Sequence, residues 1–246
     1  MILASDGVAN IGKTGPEAIL KTIEEYAQRD IYLTTVGFGL GNYNDVMMEQ
    51  LANQGDGVYA YVDTINEARR LFVNNLTGTL ETIAKDAKVQ VDFNPDVVAR
   101  YRLVGFENRA IADEQFRDDT VDAGEIGAGH SVTALYEIKR FANAEGQLAT
   151  VFLRWIDPET GEVSEISANL ESTDLAETFE AAGPSFQLAN VVSEFAEVLR
   201  ESYWAQNNTL EGVLEEARRI EGLFENNQDV TDFVDLVHRA TEVPVE

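Results

Sequence analysis

The sequence contains no cysteine. That excludes disulfides, thiolate metal sites and cysteine nucleophiles together. It does not fix the compartment, because extracytoplasmic proteins also do without cysteine. Basic side chains are scarce: 18 Lys and Arg stand against 44 Asp and Glu, a net charge of −26. A surface this negative repels phosphate backbones and anionic lipid, which argues against nucleic-acid and membrane-surface partners. It suits divalent cations, basic partners or a salty habitat, and at its plainest it is a soluble, self-repelling surface. Long apolar runs are missing too, since none approaches the ~20 residues needed to span a bilayer. Met1-Ile2-Leu3-Ala4 runs into Ser5-Asp6-Gly7 without a basic n-region, so no signal peptide is read there. Histidine occurs twice, at His130 and His238, with no partner at ligand spacing. No Gly-x-Ser-x-Gly nucleophile turn exists.

What is present is a chain of 246 residues, 44% hydrophobic, enough for two modest domains or one large one. Its first 85 residues alternate strand and helix. Ile2–Ala4 is a short apolar run. Thr14 and Glu17 have capping-box spacing ahead of a stripe at Ile19, Leu20, Ile23 and Tyr26. Ile31–Phe38 is apolar nearly throughout, as a strand covered on both faces should be. Asn44 caps a helix with Met47, Met48, Leu51 and Ala52, and Gly55-Asp56-Gly57 turns into a strand over Val58–Val62. Thr64 and Glu67 open a helix carrying Ile65, Ala68, Leu71, Phe72, Leu76, Leu80 and Ile83. This βαβαβα rhythm predicts a parallel sheet with helices on its faces.

The period then changes to two. Val89, Val91 and Phe93 alternate with polar residues, as do Ala99, Tyr101 and Leu103. A polar stretch from Glu107 to Gly129 reads as a long loop. Ser131–Lys139, Leu148–Trp155 and Val163–Leu170 are further strands, the last two joined by a turn at Asp157-Pro158-Glu159-Thr160-Gly161. The last third is helical. One helix opens at Pro184 with a stripe of Phe186, Ala189, Val192, Phe195, Leu199 and Tyr203. A second shows Leu210, Val213, Leu214, Ala217, Ile220 and Phe224, and a third Val230, Phe233, Val234 and Val237. The predicted fold class is α/β plus β, in three parts. Residues 1–85 form a partial doubly wound parallel sheet, 86–171 an antiparallel, sandwich-like β unit, and 172–246 a helical region packing on the rest.

Among candidate sites, Asp6 stands just after a strand, where ligands meet open α/β sheets. A carboxylate there suits a hard cation such as Mg²⁺, although a turn with Gly7 explains it as well. Gly37-Phe38-Gly39-Leu40-Gly41 approaches a dinucleotide fingerprint, with Asp63 near the acidic position. Asn42 stands where the last glycine belongs, and a glycine-rich turn is the simpler reading. Asp92-Phe93-Asn94-Pro95-Asp96 begins like an EF-hand loop, but Val97 and Leu103 break it. Asp157, Glu159 and Glu162 are explained better by a hairpin turn than by weak Ca²⁺ binding. No acid pair is singled out for catalysis, although clustered carboxylates leave a metal-assisted hydrolase as the alternative function.

Several long words go further. Ile2-Leu3-Ala4-Ser5-Asp6-Gly7-Val8-Ala9-Asn10, Leu33-Thr34-Thr35-Val36-Gly37-Phe38-Gly39 and Tyr59-Ala60-Tyr61-Val62-Asp63-Thr64 resemble the later strands of a bacterial von Willebrand factor A domain. Val91-Asp92-Phe93-Asn94-Pro95, Tyr101-Arg102-Leu103-Val104-Gly105-Phe106-Glu107-Asn108-Arg109 and Asp122-Ala123-Gly124-Glu125-Ile126-Gly127-Ala128-Gly129-His130 resemble the extension that follows it in one subfamily. The match covers roughly residues 1–200. It implies a non-enzymatic module for adhesion or scaffolding, extracytoplasmic or at the cell surface, with an unnamed protein partner. The family's metal-ion-dependent adhesion site holds Mg²⁺ with an Asp-x-Ser-x-Ser motif, a Thr and a later Asp. Asp6 alone has a counterpart here, so the resemblance implies a partial remnant and no bound metal in this chain. The half-sheet would then begin at an open edge, Ile2–Ala4, which is expected to be masked by another protomer or by the C-terminal helices.

Overall fold

The computed structural model describes residues 1–5, 16–27, 29, 31–39, 44–74, 81–105, 111–121 and 123–243. The chain divides into two compact units. The first holds Met1–Gln90, Ile111–Val132 and Phe152–Ser167; the second holds Val91–Ala110, Thr133–Val151 and Ala168–Glu246.

In the first unit β1 (Ile2–Ser5), β2 (Thr34–Phe38) and β3 (Tyr59–Val62) form a three-stranded sheet in that order. Both pairings are parallel, with Leu3 opposite Thr35 and Val36 opposite Ala60. The central strand is buried from Thr34 to Gly37, so both of its faces are covered, which explains why its sequence shows no polar–apolar alternation. The hydroxyl of fully buried Thr35 is satisfied, because its Oγ1 donates to the Met48 carbonyl at 2.8 Å. Helices α1 (Pro16–Ala27) and α2 (Asp45–Gln54) bring Ile19, Leu20, Ile23, Met48 and Leu51 against Leu33. Asn44 caps α2 as its sequence predicts, its Oδ1 accepting from the Met47 amide at 3.0 Å. The turn after α2 is glycine for a steric reason. A Cβ on Gly57 would lie 2.2 Å from the Leu33 carbonyl oxygen and 2.8 Å from the Thr34 nitrogen.

The predicted helix from Ile65 to Ile83 is shorter in the structure. Thr64 caps α3 (Ile65–Arg69), which widens into a single looser turn ending at Asn74. Leu76 and Leu80 lie outside the described residues. Ile83 belongs to β4 (Thr82–Phe93), where pairing of Thr82 with Gly127 overrides the helical spacing. That partner strand, β6 (Gly124–Gly127), corrects the reading of Glu107–Gly129 as loop throughout. Four residues with two glycines carry no alternation to read.

β5 (Val98–Val104) pairs antiparallel with β7 (Leu135–Arg140), which begins four residues later than the predicted Ser131. β8 (Gln147–Ile156) and β9 (Val163–Glu171) complete a four-stranded sheet in the order β6-β4-β8-β9. Asn94 closes the β4–β5 turn: its side chain donates to the Gln147 carbonyl and accepts from the Asp96 amide. That settles the Asp92–Asp96 words as a turn.

In the second unit α4 (Pro184–Leu199), α5 (Leu210–Glu221) and α6 (Gln228–Glu242) share a core of Val191, Phe195, Val213, Ala217, Ile220, Val234 and Val237. The face of α4 that enters it is Gln187, Val191 and Phe195. This corrects the predicted stripe: Phe195 is buried, whereas Phe186, Val192 and Leu199 are exposed at 52%, 42% and 56%. The helix is apolar on two faces, so spacing alone picked the wrong one.

Glu194 shows what this core does to a charge. Burial, and then Glu216 nearby, push its carboxyl above the ordinary glutamate range. A raised acid contributes stability fully below its unfolded pKa and loses it as pH rises through the folded value. Glu194→Gln should therefore raise the melting temperature at about pH 7 and change nothing at about pH 4. An equal shift at both values would show that the carboxylate's charge is not the cause.

Candidate functional site

In a parallel sheet all strands end at one edge, and the loops leaving it are where ligands are met. Here β1 ends at Ser5, β2 at Phe38 and β3 at Val62, with Ser5 opposite Gly37 and Phe38 opposite Val62. The three carboxyl ends therefore lie level. Asp6 follows β1 directly in sequence but falls outside the described residues, as do Leu40–Tyr43 of the glycine-rich run. Gly39 has φ +91°, in the region that favours glycine. The Tyr61 hydroxyl donates to its carbonyl, tying the ends of β2 and β3 together. Asp63 is exposed beside the Thr64 cap. Among the described residues no group of three or more His, Asp or Glu is placed to hold a metal ion.

Asp157, Glu165 and Asp119 serve a turn and ion pairs. Asp157 Oδ1 accepts from the amides of Glu159 and Thr160 at 2.9 and 2.8 Å, which holds its carboxyl below the usual range. With Gly161 at φ +71°, this is the predicted hairpin turn. Glu165 is also held low, first by Arg117 at 2.7 Å and then by Arg154 at 3.2 Å, and Arg154 reaches Asp119. A shallow hollow of ≈ 480 Å³, lined by Arg140–Glu145, holds a single carboxylate. His130 lies exposed after β6 and His238 exposed on α6. Among the described residues no helix is long and apolar enough to cross a membrane.

The largest polar cluster escaped the sequence reading. Arg102 in β5 lies in register with Glu137 of β7 and grips it through two bonds of 2.7 Å. It also reaches buried Glu197 of α4 at 3.6 Å and lies 4.6 Å from the Trp204 ring centroid. Glu197 takes Arg200 and the Ser202 hydroxyl besides. The cross-strand pair has a local signal, two opposite charges on facing strands. The contact with Glu197, 95 positions away, has none.

Comparison with known proteins places the chain. Residues 78–243 match the family described as "Uncharacterized protein YfbK, C-terminal". The chain is 31% identical over 241 residues to the uncharacterized protein YfbK of Escherichia coli (strain K12), covering 90% of this chain and 41% of that protein. It thus spans about two fifths of the curated relative it matches. Among solved structures, the human COPII-coat protein Sec24c shares 11% identity over 89% of this chain and 32% of its own, with a TM-score of 0.50, and so shares the mixed α/β fold alone. The ArnB paralog VWA2 from Sulfolobus acidocaldarius shares 15% identity, covering 95% of this chain and 57% of its own, with a TM-score of 0.43. The family match covers most of the chain and includes the antiparallel strands and the helices: this protein belongs to the YfbK C-terminal family.

Proposed function

We propose that the chain is a non-enzymatic protein-interaction module of von Willebrand A type, used for adhesion or scaffolding outside the cytoplasm. The observation supporting this is the parallel order β1-β2-β3, with β1 ending at Ser5, the residue before Asp6 in the sequence. Asp6 is the one acid that the resemblance assigns to the metal site. One carboxylate does not offset the reluctance of Mg²⁺ to shed water, so metal-dependent adhesion requires the other ligands of the domain. Among the described residues β1 stands at the end of the sheet order, with Ile2 and Leu3 each 38% exposed. Such edges attract another strand, and the exposure of Ile2 and Leu3 supports self-association through this edge as part of the proposal.

Calorimetric titration of Mg²⁺ tests the metal side of this reading. The chain and its Asp6→Ala variant should give the same heats, those of dilution, up to about 1 mM. A micromolar site in the chain that Asp6→Ala abolishes would overturn it.

A further inference from the structure

β5 and β7 form a two-stranded antiparallel ribbon within the second unit, with Arg100 opposite Lys139 and Arg102 opposite Glu137. Side chains alternate along a strand, so these four residues share one face. Tyr101 and Tyr136 take the other, where Phe93 stacks on Tyr101 at 4.2 Å and meets Tyr136 edge-on at 5.3 Å. The ribbon's thirteen residues hold Arg100, Arg102, Lys139 and Arg140 against Glu137 alone, a net charge of +3. The rest of this chain of −26 therefore carries −29.

The two rungs of the polar face differ. In one, Arg102 takes the Glu137 carboxylate through two bonds of 2.7 Å. In the next, two cations stand directly opposite each other, which destabilises a ribbon when no anion joins them. Both side chains are exposed, and among the described residues neither makes an ion pair. The neighbouring rung shows what this one accepts, a carboxylate gripped across the strands. We propose that the Arg100–Lys139 face docks an acidic, extended segment of a partner protein, with Asp or Glu at alternate positions and one carboxylate seated between the two cations. Alternate residues of such a segment fall on one face, at the spacing that separates Arg100 from Arg102. A second copy would bring another −26 against the first. A nucleic acid would carry its charge beyond the ribbon, over a chain that repels it. A short acidic segment sets its charge against the ribbon alone. This goes beyond the sheet-edge reading and stands whether or not that edge holds a metal.

The probe is a synthetic peptide alternating Glu and Ser, about seven residues long to match β5, with a peptide alternating Gln and Ser as the comparison. Each is titrated calorimetrically into the full chain at about 0.1 M salt, where charges more than about 10 Å away are screened and direct pairs persist. Saturable binding is expected for the Glu peptide, with affinity at least ~10-fold weaker for the Gln peptide and for the chain carrying Arg100→Gln and Lys139→Gln. A control chain with Lys21→Gln and Arg218→Gln has the same net charge and should bind as the unaltered chain does, because those exposed cations stand on separate helices. All four replaced residues are exposed, so unchanged melting curves verify folding, and Lys139→Gln alone serves if the ribbon pair disturbs it. Equal loss in the control chain, undiminished binding by the ribbon variant, or no binding at all overturns the proposal. So does tighter binding of a single-stranded oligonucleotide of equal charge, or a concentration-dependent dimer that the ribbon variant abolishes, because the occupant is then a nucleic acid or a second copy. The Mg²⁺ titration moves with none of these outcomes, so the two readings fail separately.

Discussion

Gly57→Ala should destabilise the first unit by about 3 kcal/mol or more, lowering its melting temperature by on the order of 10 °C. The added methyl would sit 2.2 Å from the Leu33 carbonyl oxygen, 2.4 Å from its carbon and 2.8 Å from the Thr34 nitrogen. All three are backbone atoms at the entrance to the central strand, so no side chain can swing aside. Nor can the turn back away cheaply. Gly57 donates to the Ala52 carbonyl at 3.0 Å, Leu33 to the Gly55 carbonyl at 2.7 Å, and Thr35 to the Val58 carbonyl at 2.9 Å. Relief means separating α2 from β2 or pulling β3 out of register. Gly124→Ala is the matched control: a Cβ there meets nothing within 4 Å, and a change below about 0.5 kcal/mol is expected. Thermal denaturation followed by circular dichroism reads both. Equal, small shifts would mean that the turn does not press on β2 as described.

Arg102→Ala should cost about 3 kcal/mol by a different route. The pair with Glu137 is a small part of it, because Glu137 is largely exposed and such bonds are worth about 1 kcal/mol or less. The larger part comes from Glu197, whose side chain is only 8% accessible. Without Arg102 this carboxylate keeps Arg200 and Ser202 but loses a second cation. The Trp204 indole loses the guanidinium beside it as well. Two further variants separate these causes. Arg102→Lys retains charge without the planar fork and should fall between wild type and alanine. Glu197→Gln in the Arg102→Ala background removes the stranded charge and should recover part of the loss. Full additivity of the two changes in urea denaturation would show that Arg102 and Glu197 do not interact.

These two sites also mark where the sequence was legible and where it was not. The parallel sheet could be read because each of its signals is local. Ile31–Phe38 is apolar nearly throughout, Asn44 and Thr64 cap the helices that follow them, and Gly55-Asp56-Gly57 marks the turn between α2 and β3. The helices α5 and α6 could be read because each has one apolar stripe, and Val213, Ala217 and Ile220, then Val230, Val234 and Val237, are the residues found buried. α4 was misread because two stripes compete, and only contact with α5 and α6 decides between Gln187–Val191–Phe195 and Phe186–Val192–Leu199. β6 was missed because Gly124-Glu125-Ile126-Gly127 is too short to show a period. The Arg102–Glu197 contact was missed because nothing near either residue announces the other.

The candidate site divides the same way. Asp6 was singled out by its place after a strand; it lies outside the described residues, and what the structure describes there is that β1 ends at Ser5, level with the ends of β2 and β3. The acids at Asp157 and Glu165 serve turns and ion pairs, which counting carboxylates could not reveal. Membership of the YfbK C-terminal family accounts for the long words from Val91 onward.

The interaction module proposed here rests on the parallel sheet of β1, β2 and β3, and hydrogen–deuterium exchange at Thr34–Phe38 tests that most directly. The account predicts that these amides, in the central strand of the first sheet, exchange only on the timescale of the first unit's unfolding, far more slowly than the exposed turn at Glu159–Gly161. Exchange at Thr34–Phe38 as rapid as in that turn would contradict it, because no stable sheet would then be present.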